Sequence, residues 1–269
     1  MKFYLIKVFG GKSMSDLLKV GSFNMKDNGI NRNGGIREDG TSNAKYVADI
    51  IKEKEFDLLG TQELTIKYVN ELALELHDYQ FLGSYRYGNA LKFLPYNENN
   101  NIITNQKVLE TNTIWLPWIA NNFPDFKTSI MKTSIMPRVA TIVVTEDNDH
   151  RKVCMINTHL DYQIPSIQAK QLEKLKSIIL KYSKDYKIIL TGDFNMELND
   201  NNFKQFVTDV SSQLKVVDID GATWHGKNNE EKKEDFIFIP NDFEVENAGR
   251  IDANGTSDHD MIYADIRRK

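Results

Sequence analysis

The sequence predicts an α+β protein in which two mixed β-sheets pack face to face with helices outside, a four-layer α/β/β/α sandwich. Short apolar strands alternate with amphipathic helices early in the chain, whereas the later strands are joined by short turns. Neither a fixed-period repeat, a low-complexity tract nor a linker interrupts this pattern. Such an arrangement is typical of two sheets that bury one face against each other. We expect one domain over residues 15–269, with a loosely ordered leader at residues 1–14.

Composition sets the class of protein. The chain has 269 residues, of which 41% are hydrophobic and 27% charged, enough for a substantial core. The net charge of −4 gives no general basic surface for nucleic acid, although a local groove or bound cations can reverse the electrostatic field at a site.

The single cysteine, Cys154, lies in an apolar run and is expected to be a buried thiol. No stretch approaches the roughly 20 apolar residues of a membrane span. A cytoplasmic protein with no obligate protein partner is expected.

The first third of the chain alternates strands and helices. Strands are predicted at residues 17–23 and 56–61, and each ends in polar residues. Thr41 or Ser42 is suited to cap the helix between them, and a second helix follows the second strand. The apolar residues with helical spacing are Val47, Ile50 and Ile51 in the first helix, and Val69, Leu72 and Leu76 in the second.

Residues 84–137 are the least regular part of the chain. They combine aromatic residues with Asn-rich loops and contain short predicted strands at residues 101–105 and 113–116. The pattern then becomes regular again. Its predicted strands are residues 139–145, 152–158, 187–191, 215–218, 236–240 and 262–266, and its helices are residues 165–182 and about 200–214.

The strand at residues 187–191 organises the candidate site. Asp193 and Asn195 follow it two residues apart, so in extended backbone they project from the same face. Gly192 removes side-chain bulk where a metal ion or phosphate needs close approach to the backbone. An ordinary Asx turn after a strand is an alternative explanation of the same residues.

Polar residues also follow other predicted strands. Each has a structural explanation by itself, as a turn former, a helix-end residue or a satisfied histidine at a sheet edge. Because strand ends on one side of a sheet converge on a common rim, their joint placement favours a functional site. Hard oxygen ligands suit Mg²⁺, while histidine and asparagine stabilise charge or move protons during phosphate hydrolysis. The set is Asn24, Glu63, His159, Asp193, Asn195, Asp235, Asp258 and His259.

Six short motifs contain these residues and run from Ser22 to Asp260. They are Ser22-Phe23-Asn24, Thr61-Gln62-Glu63, Asn157-Thr158-His159-Leu160-Asp161, Thr191-Gly192-Asp193-Phe194-Asn195, Asp235-Phe236-Ile237-Phe238 and Ser257-Asp258-His259-Asp260. In these motifs and their order, the chain resembles the endonuclease/exonuclease/phosphatase superfamily, the divalent-metal phosphohydrolases that include DNase I-like nucleases. The stretch Thr223-Trp224-His225-Gly226 further resembles a bacterial branch near the deadenylase-like members. The resemblance implies a DNase I-like sandwich and Mg²⁺ dependence, with Mn²⁺ as an alternative.

The resemblance also implies roles around the metal and the water. Glu63 would be the principal Mg²⁺ ligand, with Asn24 and Asp258 close to the metal or to the attacking water. Asp193 would orient or deprotonate that water, and Asn195 would hold a phosphate oxygen as charge develops.

Further roles are implied for the histidines and the phosphate. His259 would contact the phosphate or act as the base, held in its tautomer by Asp235. His159 would bind the phosphate near the leaving group, oriented by Glu98. Arg138 would be a phosphate-binding arginine.

The chain departs from the family pattern at two positions. Phe236 stands where a tyrosine is usual, which removes a hydroxyl contact but still fills an apolar slot. Asp260 follows His259 where an aromatic or small residue is common, and its charge is expected to raise the pKa of His259.

The core motifs do not separate substrate classes. The first hypothesis is a nuclease that acts by in-line water attack on single strands or ends, with aromatic residues between positions 85 and 123 stacking bases. These aromatics have an alternative role in packing the long loop against the sheets. The second hypothesis is a phosphatase or phosphodiesterase of a small molecule or lipid headgroup. The third is an inactive binding protein, which retention of every core polar residue argues against.

Overall fold

The computed structural model describes residues 17–26, 35–93, 97–118, 136–147 and 149–268. The predicted leader at residues 1–14 lies outside the described residues. So do Tyr96 and Phe123, two members of the predicted aromatic set.

Fourteen strands and four α-helices make up the described part of the chain. The strands are β1 (Leu17–Asn24), β2 (Leu58–Gln62), β3 (Gln80–Leu82), β4 (Ile102–Thr104), β5 (Lys107–Trp115), β6 (Val139–Glu146), β7 (Lys152–His159), β8 (Lys187–Asp193), β9 (Leu214–Val216), β10 (Trp224–His225), β11 (Glu231–Lys232), β12 (Asp235–Pro240), β13 (Phe243–Ile251) and β14 (Met261–Arg268). The helices are α1 (Asn43–Lys54), α2 (Ile66–Glu75), α3 (Pro165–Tyr182) and α4 (Asn201–Val210).

Two six-stranded mixed sheets form the middle of the molecule, which confirms the predicted α+β sandwich. The first has the order β13-β14-β1-β2-β4-β3 and the second β5-β6-β7-β8-β12-β9, while β10 and β11 form a separate two-stranded ribbon. Each large sheet contains one parallel pair, β1 with β2 and β7 with β8, and its other pairs are antiparallel.

This topology brings the predicted site residues to one edge. The carboxyl ends of β1, β2, β7 and β8 lie there, and the antiparallel strands β12 and β14 begin there. In the register of the second sheet, Asp193 is opposite both His159 and Asp235. The convergence that was predicted from strand ends is therefore a direct result of strand direction.

Three apolar clusters separate the four layers. Residues such as Val20, Ile189 and Ile237 fill the space between the sheets. The outer face of the first sheet packs against α1 and α2, and that of the second against α3 and α4. Three of these helices have a local reason to start where they do: Ser42 caps α1, Thr65 caps α2 and Pro165 occupies the first turn of α3.

A polar network crosses between the sheets beneath the site edge. Gln62 Nε2 donates to Asn157 Oδ1 at 2.8 Å, and Asn157 Nδ2 donates to the carbonyl oxygens of Thr61 and Asn101, each at 2.9 Å. The sheets approach closely here because residue 60 is glycine. A Cβ on Gly60 would lie 2.3 Å from Thr191 Oγ1 and 2.6 Å from Asn157 Oδ1.

Edge strands account for the main differences from the sequence prediction. β5 begins at Lys107 instead of residue 113, and β3 and β13 were not predicted. In β5 and β13 most side chains are partly or fully exposed, so neither strand shows the apolar pattern of a buried one. Their backbone pairing with β6 and β14 holds them in place. None of the described helices is long and apolar enough to cross a membrane.

Candidate active site

Asp193 is the central carboxylate of the site. It ends β8 and is buried. Its Oδ2 accepts a hydrogen bond of 2.9 Å from Asn24 Nδ2, and lies 3.5 Å from His159 Nε2 and 3.8 Å from His259 Nε2. Burial and the charge of Asp235 together raise the pKa of Asp193 to about 7, against the opposing effects of the His259 charge and the Asn24 hydrogen bond. A carboxyl group in such a site is suited to exchange a proton near neutral pH.

His259 is held by a carboxylate and a hydroxyl behind it. Its Nδ1 lies 2.8 Å from Asp235 Oδ2, the atom to which Thr223 Oγ1 donates at 2.7 Å. Burial lowers the pKa of His259, but the charge and hydrogen bond of Asp235, with the charges of Asp193 and Asp258, raise it to about 10. The imidazole is therefore positively charged, and its Nε2 is aimed at Asp193.

His159 has the opposite electrostatic environment. It ends β7 and is buried, and its Nδ1 has no hydrogen-bond partner among the described residues. Burial lowers its pKa well below the usual value, and the charges of Arg138 and Arg86 lower it further. The site thus contains one neutral and one charged imidazole on either side of Asp193.

Two buried arginines lie near His159. Arg138 is 5% exposed, and its Nε has no hydrogen-bond partner in the described part of the chain. Burial, together with the charge of Arg138, lowers the pKa of Arg86 to about 9, while the charge of Glu63 opposes the shift. Glu98 forms a buried ion pair with Arg86. The predicted orientation of His159 by Glu98 is therefore wrong, since this carboxylate is engaged by a guanidinium and the His159 Nδ1 is unpartnered.

Asn195 reaches the site through a turn instead of an extended strand. Its φ of 51° is left-handed, and its backbone N–H donates to Asp193 Oδ1 at 2.9 Å, which is an Asx turn. Its Nδ2 donates one hydrogen to the Leu160 carbonyl at 3.0 Å. The predicted common face in extended backbone is wrong, and the Asx turn itself directs Asn195 to the site. Gly192 is required by the neighbouring strand, because a Cβ there would lie 2.3 Å from the Thr158 carbonyl oxygen.

Oxygen ligands for a cation collect at the ends of β1 and β2. Asn24 Nδ2 lies 3.3 Å from Glu63 Oε1, and Asp258 follows Ser257, whose hydroxyl donates to the Asn24 carbonyl at 2.7 Å. The Lys26 ammonium lies 3.5 Å from Asp258 Oδ2. Burial lowers the pKa of Lys26, but Glu63, Asp258 and Asp193 outweigh it and raise the pKa. A cationic group is thus stabilised where these carboxylates meet, as a divalent cation would be.

A second set of atoms could also hold an ion. Asp193, Asp235 and His259 offer ligand atoms that lie within 4.8 Å of one another. In that set, however, Asp235 Oδ2 already accepts from Thr223 and bonds to His259 Nδ1. An all-oxygen set at Glu63 and Asp258 is better suited to Mg²⁺ than one that includes imidazole.

A cavity of about 470 Å³ opens over these groups. The predicted residues that line it are Glu63, Glu98, Arg138, His159, Asp193, Asn195 and His259. Asn24 and Asp235 support it from below through their bonds to Asp193 and His259. Asp258 lines an adjoining cavity of about 510 Å³ and contacts the site through Lys26.

Comparison with known proteins identifies the family. The profile of the Endonuclease/Exonuclease/phosphatase family matches residues 22–259. The chain belongs to this family. Its members are divalent-metal-dependent hydrolases of phosphoester bonds, and this protein is therefore a hydrolase of that class. No curated protein sequence matches the chain.

Solved structures of the endonuclease/exonuclease/phosphatase fold are similar over nearly the whole chain. One from Bacteroides vulgatus has a TM-score of 0.73 and 19% identity, covering 94% of this chain and 99% of that one. A mannosyl-6-phosphatase from Bacteroides thetaiotaomicron has a TM-score of 0.70 and 20% identity, covering 93% and 99%. The D. rerio protein TDP2, complexed with single strand DNA product, has a TM-score of 0.70 and 18% identity, also covering 93% and 99%.

The two departures from the family pattern have clear positions. Phe236 packs its ring 4.9 Å from that of Phe203 and 6.0 Å from that of Phe194, so it fills the expected apolar slot. Asp260 forms an ion pair with Arg250 and lies 3.2 Å from His225 Nε2. The carboxylates that raise the pKa of His259 are those of Asp235, Asp193 and Asp258.

Several cavity residues were not predicted from the sequence. They are Lys26, Arg86, Met136, Tyr162, Trp224, Lys232 and Glu234. Trp224 lies in the Thr223–Gly226 motif and Tyr162 follows the His159 motif directly, so both could have been found by extending the motifs. Arg86 and Lys26 lie in loop sequence without a distinctive pattern, and only the tertiary fold brings them to the cavity.

Proposed function

We propose that this protein is a Mg²⁺-dependent nuclease that hydrolyses a phosphodiester bond by in-line attack of water. The observation that carries the proposal is the convergence of Asp193, His159 and His259 on one point at the base of the cavity. Phosphoryl transfer requires mainly positioning and charge stabilisation, which such a preorganised polar site supplies.

Glu63, Asn24 and Asp258 would hold the metal. Their oxygen atoms suit Mg²⁺, with Mn²⁺ as an alternative, and the stabilised Lys26 ammonium supports a cation at this position. When bound, the metal would supply positive charge that neutralises the phosphate and the leaving oxygen.

The chain's own residues would perform the remaining steps. Asp193 would orient the attacking water and accept its proton at the carboxylate. Asn195 would donate the second hydrogen of Nδ2 to a phosphate oxygen, the first being bonded to the Leu160 carbonyl. His259, held by Asp235, would contact the phosphate as charge develops.

His159 and Arg138 would contact the opposite side of the phosphate. Both are buried and line the cavity, and each has a nitrogen without a partner in the described residues. Arg138 would bind a phosphate oxygen, and His159 would lie near the leaving oxygen. Glu98 would serve the phosphate indirectly, by pairing with Arg86.

Hydrolysis of a small phosphoester is a second candidate. A cavity of about 470 Å³ with two buried arginines is large enough for a compact phosphorylated molecule. The structural similarity to a mannosyl-6-phosphatase adds support for this candidate, as the similarity to TDP2 with its DNA product does for the first.

A matched substrate panel tests the proposal. Purified protein with Mg²⁺ is assayed on single-stranded DNA and RNA, duplex DNA, and soluble phosphate mono- and diesters, with Asp193→Ala as the inactive control. Cleavage of oligonucleotides that disappears in the variant supports the nuclease. Turnover of small phosphoesters alone would instead support the second candidate, a hydrolase of a small phosphorylated molecule.

A further inference from the structure

Four exposed aromatic side chains lie on chain segments next to the cavity, and one of them, Tyr162, lines it. They are Tyr87, Trp115, Trp118 and Tyr162, which are 40%, 48%, 43% and 57% exposed, and we call them the aromatic rim. Tyr85, two residues before Tyr87, is only 6% exposed. Packing against the sheets therefore accounts for Tyr85 but leaves much of each rim side chain in solvent.

Contacts connect the rim to the two buried arginines. Trp115 Nε1 donates to the Arg86 carbonyl at 2.9 Å, which places this indole beside the Arg86–Tyr87 backbone. The next residue, Leu116, donates its N–H to the Arg138 carbonyl at 2.8 Å. The segment that carries Trp115 is thus joined to both arginines.

A glutamine joins the other half of the rim. Gln171 Nε2 donates to the Pro117 carbonyl at 3.0 Å, and Gln171 Oε1 accepts from Asp161 N–H at 2.8 Å. These bonds hold Trp118, which follows Pro117, near the segment that carries Tyr162. Tyr162 itself lines the catalytic cavity together with Arg86 and Arg138.

We propose that the aromatic rim is a stacking site for the bases of a single-stranded nucleic acid. The inference rests on the proposed nuclease function and names its substrate class. Sequence-tolerant binding of single strands combines aromatic faces, on which bases stack, with cationic groups that bind the backbone. The rim supplies the aromatic faces, and Arg138, whose Nε has no partner among the described residues, supplies positive charge inside the adjoining cavity. Bases next to the scissile phosphate would lie over the rim while that phosphate enters the cavity.

A lipid surface is the competing partner for exposed apolar groups here. Leu91 and Phe93, 47% and 76% exposed, extend the apolar surface beyond Tyr87. The buried position of Arg138 favours nucleic acid, because it can bind an anion that enters the cavity but not the headgroups of a flat surface. The continuity of the rim with the cavity through Tyr162 points the same way.

Binding is measured by fluorescence anisotropy in the Asp193→Asn background with Mg²⁺, so that hydrolysis is slow. The probes are a labelled oligothymidylate of about twelve nucleotides and an abasic strand of equal length and charge. We expect the first to bind at least about tenfold more tightly, because the abasic strand lacks the bases that stack on the rim. The double substitution Trp118→Ala/Tyr162→Ala should remove most of that preference.

The matched control is Leu109→Ala/Leu198→Ala, which truncates two side chains that are each 41% exposed and lie outside the rim. It should leave the affinities for both strands unchanged.

Two substitutions of Trp115 test whether an aromatic ring is what matters at this position. Trp115→Phe keeps a ring but loses the hydrogen bond to the Arg86 carbonyl, so it should retain the preference for the oligothymidylate, whereas Trp115→Ala should not. Thermal melts of each variant show whether it is folded, so that a loss of preference is not caused by unfolding.

Three results would overturn the inference. They are equal binding of the two strands by the parent protein, an unchanged preference in the rim double variant, or binding to phosphatidylcholine–phosphatidylglycerol vesicles that the rim variant alone loses. The substrate panel separates this failure from that of the proposed function. If the protein cleaves oligonucleotides but binds both strands equally, only the stacking site is refuted. If it hydrolyses small phosphoesters alone, the proposed nuclease function is refuted as well.

Discussion

Asn24 and Asp193 join the two sheets at the candidate active site. Asn24 ends β1 of the first sheet, and its Nδ2 donates to Asp193 Oδ2 at the end of β8 in the second sheet, across 2.9 Å. The same carboxylate oxygen is within 4 Å of both imidazoles, at 3.5 Å from His159 and 3.8 Å from His259. Asp193 is consequently the group on which contributions from both sheets converge.

Replacing Asp193 with Asn should reduce kcat by ~10²–10⁴, the range for loss of a positioned proton acceptor. The fold should survive, because Asn has nearly the shape of Asp and burial, which raises the pKa of Asp193, makes the ionised carboxylate unfavourable there. The melting temperature should change little, since this gain is offset where the new amide NH2 replaces an oxygen that accepts from Asn24 or Asn195. Steady-state kinetics and circular dichroism measure both, with Asp185→Asn, an exposed site, as control. Near-normal turnover in the folded variant would refute the assignment.

Thr223 should support His259 indirectly. Its hydroxyl donates to Asp235 Oδ2 at 2.7 Å and accepts from the N–H groups of Glu234 and Asp235, each at 3.1 Å. Thr223→Ala leaves these buried groups without their partner, so it should lower the unfolding free energy by ~1–3 kcal/mol and also reduce kcat. Thr223→Ser keeps the hydroxyl and should restore both in denaturation and kinetic assays. Equal effects of the two substitutions would contradict the hydrogen-bonding role.

Glu98 should be more important for stability than a surface carboxylate. Glu98→Gln leaves the buried Arg86 guanidinium without its ion pair, so we expect a loss of ~3–5 kcal/mol in urea denaturation. Glu71→Gln breaks a surface pair with Lys67 at 3.8 Å and should cost at most ~1 kcal/mol. Similar losses of unfolding free energy in the two variants would show that the buried pair stabilises the protein no more than the surface pair does.

Gly60 should tolerate no side chain. In Gly60→Ala the new methyl group would meet Thr191 Oγ1 and Asn157 Oδ1, so the sheets must separate or the polar network must shift, at ~1–3 kcal/mol. Gly249→Ala is the milder comparison, since its closest atom, Tyr263 Oη, would be 3.1 Å away. Adding Thr191→Ala to Gly60→Ala should recover part of the loss, and strictly additive effects would argue against the clash.

Lys26 should compete with the metal ion. Its ammonium is stabilised by Glu63, Asp258 and Asp193, so it neutralises the proposed metal ligands in the metal-free protein. Lys26→Gln should increase Mg²⁺ affinity about tenfold, because a cation would no longer repel the metal at short range. Isothermal titration calorimetry measures this, with Lys45→Gln, a surface lysine paired with Asp49, as control. Weaker Mg²⁺ binding in Lys26→Gln would reverse the interpretation.

The sequence by itself determined the fold class and predicted most of the residues that line or support the candidate site. Buried strands such as β1 and β8 carry continuous apolar runs that end in polar residues, and this contrast is visible without a structure. The order of six motifs then led to the family. The polar residues at these ends also meet in the structure, because strand direction brings them to one edge.

Only the tertiary structure decided which groups pair. The Arg86–Glu98 ion pair, the position of Lys26 and the solvent-exposed aromatic rim depend on loops that carry no periodic pattern. Edge strands such as β13, most of whose side chains are partly or fully exposed, likewise depend on backbone hydrogen bonds to a neighbour. Local sequence encodes burial and turns, whereas contacts between residues distant in the chain arise when the two sheets pack together.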